Sequence, residues 1–86
     1  MNINQLISIV KNKLKKNISL EDINIEDKTF LHKSHKTHRD GKFHLKLTIT
    51  SAELKKMNKI ESTKKIYSIL DEELKKNIHS IQILIS

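Results

Sequence analysis

The stretch Phe43-His44-Leu45-Lys46-Leu47-Thr48-Ile49-Thr50 is apolar at every odd position and polar at every even one. Side chains of a strand point alternately to the two faces of a sheet, so this segment reads as a β-strand with one face buried and the other wet. A sheet built around it carries its helices on one side only. With 86 residues the chain makes one small domain, residues 1–86, and a single modest core.

The rest of the chain supplies elements that fit this strand. Asn2 and Gln5 have the spacing of a capping box, and Ile3, Leu6, Ile7, Val10 and Leu14 recur at helical intervals, predicting a helix from about Asn2 to Lys16. Ile23 and Ile25 alternate with Asn24 and Glu26, predicting a strand from about Leu20 to Asp27. Thr50 and Glu53 form a capping pair for a short helical segment near Ser51 to Met57. A longer helix is expected from Glu61 to Lys76, with Ile66, Tyr67, Leu70 and Leu74 on one face. The β-branched run Ile78 to Ile85 closes the chain as a strand. The order is α-β-β-α-α-β, an α+β arrangement in which a three-stranded sheet has its helices packed on one face. There is no repeat, linker or low-complexity tail.

Composition removes several function classes. The chain has no cysteine, so a disulfide, a zinc ribbon and a self-contained four-cysteine iron-sulfur site are all excluded. Any metal must be held by imidazole, carboxylate or a partner's sulfur. Gly41 is the only glycine, which excludes a Gly-rich phosphate loop and a GXXG nucleic-acid clamp. No serine sits in a strand-turn-helix nucleophile pattern, so no enzyme is expected. The net charge of +7 invites a nucleic-acid reading. Arg39 is however the only arginine, and the lysines run from Lys11 to Lys76 without clustering, so most of them are expected to form a solvated surface. Apolar runs are too short to span a bilayer, and Lys11, Lys13, Lys15 and Lys16 interrupt the N-terminal region where a signal peptide would continue. A soluble, cytoplasmic protein with no membrane contact is the expectation.

Four of the five histidines lie between Phe30 and Lys46, and His32, His35 and His38 are spaced H-x2-H-x2-H. On a helix that spacing rotates successive rings apart, and in a loop it fixes no geometry. Spacing alone is therefore a weak metal signal, no stronger than adventitious binding. His44 falls on the polar face of its strand, where a surface or hydrogen-bonded histidine is the ordinary reading. His79 sits where the last helix gives way to the last strand, a place for a capping or packing residue.

Three stretches, "IEDKTFLH", "FHLKLTITSAEL" and "KKIYSILDEELKKNIHSIQI", together resemble the BolA family. The late stretch is the most specific: Ile66-Tyr67, then Leu70, Glu73 and Leu74, lead into Ile78-His79-Ser80-Ile81. His44, Leu45, Lys46 and Ser51 match an H-F-K strand and the serine that ends it. Asp27 and His32 match an aspartate and a histidine flanking a variable loop. The resemblance implies a fold like that of a class II KH domain, in agreement with the order read from periodicity. The chain departs from the family where a basic triplet starts the long helix, since Ser62, Thr63 and Lys64 stand there, and where Leu54 and Lys56 replace a phenylalanine and a glycine.

The resemblance further implies a partner, a monothiol glutaredoxin, sharing a two-iron two-sulfur (2Fe-2S) cluster that serves iron-sulfur assembly, trafficking or iron and redox regulation. Glutaredoxin cysteine and glutathione thiol would supply the sulfur ligands. This chain would supply His79 and a loop histidine, His32 by position, with His35 and His38 as substitutes. Imidazole in place of thiolate makes such a cluster less negative, a change that raises the potential in Rieske centres. Lys33, Lys36, Arg39 and Lys42 would help dock an acidic partner surface. Lys64 is the one basic residue left of the helix triplet and a candidate partner or nucleic-acid contact. Alone, the chain would hold no cofactor and be a monomer or weak homodimer. The alternative carried by the same resemblance is a DNA-binding transcriptional regulator.

Overall fold

The computed structural model describes residues 2–29 and 42–86. Helix α1 runs Ile3–Asn17, strand β1 Asp22–Asp27, strand β2 Phe43–Thr50, helix α2 Ala52–Lys55, helix α3 Lys59–Ile69, helix α4 Asp71–Lys76 and strand β3 Ile78–Ile85. The sheet order is β1-β2-β3, with β1 antiparallel and β3 parallel to the central strand. The three-stranded α+β arrangement expected from the sequence is the one observed.

The capping box forms as read: Gln5 N–H donates to Asn2 Oδ1 at 2.8 Å and Asn2 N–H donates to Gln5 Oε1 at 3.1 Å. Leu6, Val10 and Leu14 then make a fully buried stripe, and Lys15 and Lys16 in the last turn meet the negative end of the helix dipole. In β2 the odd positions Leu45, Leu47 and Ile49 are buried in the core, joined by Ile23 of β1, Leu54, Ile66 and Leu70 of the helical crossover, and Ile78 of β3.

Several boundaries differ from expectation: β1 starts at Asp22 instead of Leu20, and α2 ends at Lys55 instead of Met57. The cap of α2 is Ser51, not Thr50. Thr50 is still in the ladder opposite Asp22, and its carbonyl accepts from Glu21 N–H at 2.8 Å, so the chain leaves the sheet one residue later. Ser51 is wholly buried and doubly used: Oγ donates to the Ser19 carbonyl at 2.7 Å and accepts from Leu54 N–H at 3.1 Å. The long helix begins earlier than expected, after the Asn58 cap, and breaks at Leu70, where φ −98° and ψ 16° leave the helical region. Bonds from Leu70 N–H to Ile66 and from Leu74 N–H to Leu70 bridge the break, so α3 and α4 stay joined. Tyr67 was expected on the apolar face and is 43% exposed, because Ile66 and Leu70 take the inward line one residue away.

Two carboxylates tie the helices to the rest of the fold. Glu73 of α4 is buried and accepts from Lys13 Nζ of α1 at 2.7 Å, and that carboxylate holds the Lys13 ammonium above its usual pKa. Glu53 of α2 accepts from Ser19 N–H at 3.1 Å and pairs with Lys65 of α3, also at 3.1 Å. The Ser19 amide first, and the Lys65 ammonium second, hold the Glu53 carboxyl below the usual carboxylate range. Its contribution to stability is therefore present above the unfolded value of about 4.3 and is lost as pH falls through the lower folded value. Denaturant melts should show Glu53→Gln less stable than wild type at pH 6, the gap narrowing as pH falls below about 4. A gap that does not narrow on acidification would mean that the charge is not what Glu53 contributes.

Candidate functional site

The first residues of β3 do not follow the ladder. Phe43 pairs with Ile78, but the next residue of β2, His44, pairs with Ser80, so His79 is an extra residue in a bulge. A bulge sets two side chains opposite one and re-aims them. Ile78 is thereby turned into the core at 2% exposure, while both His79 and Ser80 are exposed.

Both bulge residues meet His44 from the outer face of the sheet. The His44 and His79 ring centroids are 4.9 Å apart with planes tilted by 50°. His44 Nδ1 lies 2.6 Å from Ser80 Oγ. His44 faces away from the helices, yet it is only 7% exposed. Its backbone is fixed as well: its N–H donates to Thr29 Oγ1 at 3.2 Å, and its carbonyl accepts from Lys28 N–H at 2.7 Å. Thr29 Oγ1 donates in turn to Asp27 Oδ1, which also accepts Thr29 N–H at 2.9 Å, so one hydroxyl gives its proton to the carboxylate and accepts from the His44 amide.

The end of β1 and the starts of β2 and β3 all lie at this edge of the sheet. Residues 30–41 are therefore joined to the described chain at Thr29 and Lys42, beside His79. The expected ligand His32, its substitutes His35 and His38, and the basic residues Lys33, Lys36 and Arg39 lie outside the described residues. Lys42 is half-buried at the same sheet edge. Lys64 is not with it. It is exposed on α3, and its neighbour Thr63 lines a groove with Ile83 and Ile85, at the far end of β3 from His79.

Among the described residues no three histidine, aspartate or glutamate side chains converge to hold a metal ion. A metal at His79 would need ligands from residues 30–41 or from another molecule. Beside His44 a shallow groove of about 240 Å³ crosses the outer face, lined by Lys28, Lys46, Ser80 and Gln82. Lys28 pairs with Glu26 at 3.1 Å. No helix of the described residues is long and apolar enough to cross a membrane.

Sequence reasoning placed His79 at the helix-to-strand junction but missed His44 as its neighbour. The signal was present in the spacing of β3. Ile78 to Ile81 is a step of three, whereas Ile81, Ile83 and Ile85 follow in steps of two. One surplus residue in a period-two pattern marks a bulge.

Residues 14–86 match the BolA-like protein family. A DNA-binding transcriptional regulator BolA from Haemophilus influenzae is 32% identical over 75 residues, covering 87% of this chain and 70% of that protein. Among solved structures, BolA1 from Arabidopsis thaliana has a TM-score of 0.77 at 28% identity, over 92% of this chain and 87% of that one. The BolA domain of SufE1 from Arabidopsis thaliana has a TM-score of 0.79 at 22% identity, over 100% of this chain and 93% of that one, a likeness of fold. With the family pattern reaching from α1 to the last residue and the fold shared, this chain belongs to the BolA-like protein family.

Proposed function

We infer that the chain is a binding partner rather than an enzyme, and that it completes a 2Fe-2S cluster held otherwise by a monothiol glutaredoxin and glutathione. One observation carries this reading: the bulge sets an exposed imidazole, His79, at the sheet edge where the histidine-rich stretch is attached. The donor set fits such a shared centre. Imidazole is an accepted ligand of 2Fe-2S irons, a chain without cysteine has no thiolate to hold a cluster alone, and the described residues form no closed metal site. His79 would be one ligand and His32 the second, with His35 and His38 as substitutes. When bound, the cluster supplies electron storage or is itself the cargo passed on. The chain's own residues would fix its ligand geometry and dock the partner, with Lys42 beside the site and Lys28 and Lys46 along the outer groove meeting acidic groups. Mixing the protein with a monothiol glutaredoxin, glutathione, ferrous iron and sulfide tests the reading. A visible circular dichroism spectrum different from that of glutaredoxin alone is expected, and an identical one would count against it.

A second reading, DNA binding, is favoured by the description of the Haemophilus influenzae relative and by exposed lysines: Lys55, Lys56 and Lys59 around the turn between α2 and α3, and Lys64 further along α3. Binding to duplex DNA that falls steeply with salt and survives loss of His79 would support it.

A further inference from the structure

His44 is absent from the ligand set drawn above, yet it is the more firmly held of the two rings. Along β2 its outward neighbours Lys46 and Thr48 are half-buried and Thr50 is exposed, whereas His44 is 7% exposed. Ser80 Oγ anchors the ring at 2.6 Å, and Thr29 and Lys28 anchor the backbone on either side. His79 is the exposed member of the pair, and its described ring contact is with that anchored ring, at 4.9 Å and 50°. Tilted aromatic pairs at this separation attract each other.

We propose that His44 is a positioning residue for His79: the anchored ring is a wall that confines the neighbouring imidazole to the orientation in which it serves as a ligand. The proposal rests on the reading of His79 as a ligand. An exposed histidine samples several staggered rotamers, and all but one must be given up when the ring coordinates. A wall that removes the others beforehand lowers that entropic cost and fixes the geometry of the centre. The bulge is what makes this possible. A regular ladder would put one side chain opposite His44, whereas here Ser80 takes the hydrogen bond and His79 takes the ring face.

The free protein and the glutaredoxin complex are both needed for the test, with His44→Ala, His44→Phe and His79→Ala compared with wild type. In the free protein, side-chain couplings measured by nuclear magnetic resonance should report one dominant His79 rotamer. Averaging is expected in His44→Ala and recovery in His44→Phe, which keeps a ring. In the complex, His44→Ala should still assemble the cluster but with altered visible circular dichroism and about tenfold faster loss to a chelator, the usual scale for partners of metal ligands. His44→Phe should return toward wild type. If His44→Ala destabilises the fold, the comparison between His44→Phe and wild type carries the test, because a ring that does not restore the rotamer defeats the wall. Unchanged couplings and an unchanged spectrum in His44→Ala would overturn the proposal. A cluster spectrum indifferent to His79→Ala would instead defeat the ligand reading, and the free-protein couplings would still decide what His44 does.

Discussion

His79→Ala should abolish the mixed cluster spectrum with glutaredoxin while leaving the domain folded. The side chain is exposed, and the bulge that presents it is made by backbone pairing, so truncation should cost the fold no more than about 0.5 kcal/mol. The effect on assembly should be close to complete, because the neighbouring imidazole, His44, is buried and held by Ser80 and so is poorly placed to take over. His79→Cys sharpens the test. A thiolate can ligate iron but leaves the centre more negative, so the complex should return with a lower reduction potential than wild type. Visible absorption, circular dichroism and a redox titration read these outcomes. An unchanged spectrum in His79→Ala would remove the ligand role.

The largest effect on stability is expected from Leu47→Ala. Leu47 is wholly buried in the central strand and stands in register with Ile25 on one side and Ile83 on the other. Deleting such a side chain loses its transfer energy and leaves a cavity, at about 2–5 kcal/mol. A domain of 86 residues has about 4–13 kcal/mol of stability in all, so this one change should remove a large part of it or unfold the protein at body temperature. Leu47→Met, nearly equal in volume, should cost less than about 1.5 kcal/mol. Urea unfolding with an unchanged slope measures both. A loss below about 1 kcal/mol for Leu47→Ala would mean that the site collapses around the missing atoms.

The parts of this fold that could be read in the sequence are those governed by neighbours along the chain. The Asn2 and Gln5 cap, the stripe of Leu6, Val10 and Leu14, and the alternation of β2 depend on spacing alone, and each is present. Features set by pairing between distant segments were not legible in the same way. Thr50 looked like a cap but is kept in the sheet by Asp22 and Glu21, and Leu70 fits a continuous helical stripe yet breaks the helix. The closeness of His44 to His79 is a matter of register between two strands, so an alternation pattern in either one does not reveal it. Residues 30–41 carry the second expected ligand, His32, and lie outside the described residues.

Phe43–Ile49 of the central strand is matched by Ile78–Ile85, one residue longer. Neither the core nor the ladder requires that surplus: without it, Ile78 and Ile81 could still face inward on a strict two-residue repeat. Folding and function are thus separable by chain length. A variant shortened by one residue at the bulge could keep its architecture while a single side chain had to occupy the place now divided between the Ser80 hydroxyl and the His79 ring. If His79 serves as proposed, the length of the last strand is set by what the bulge presents and not by the sheet.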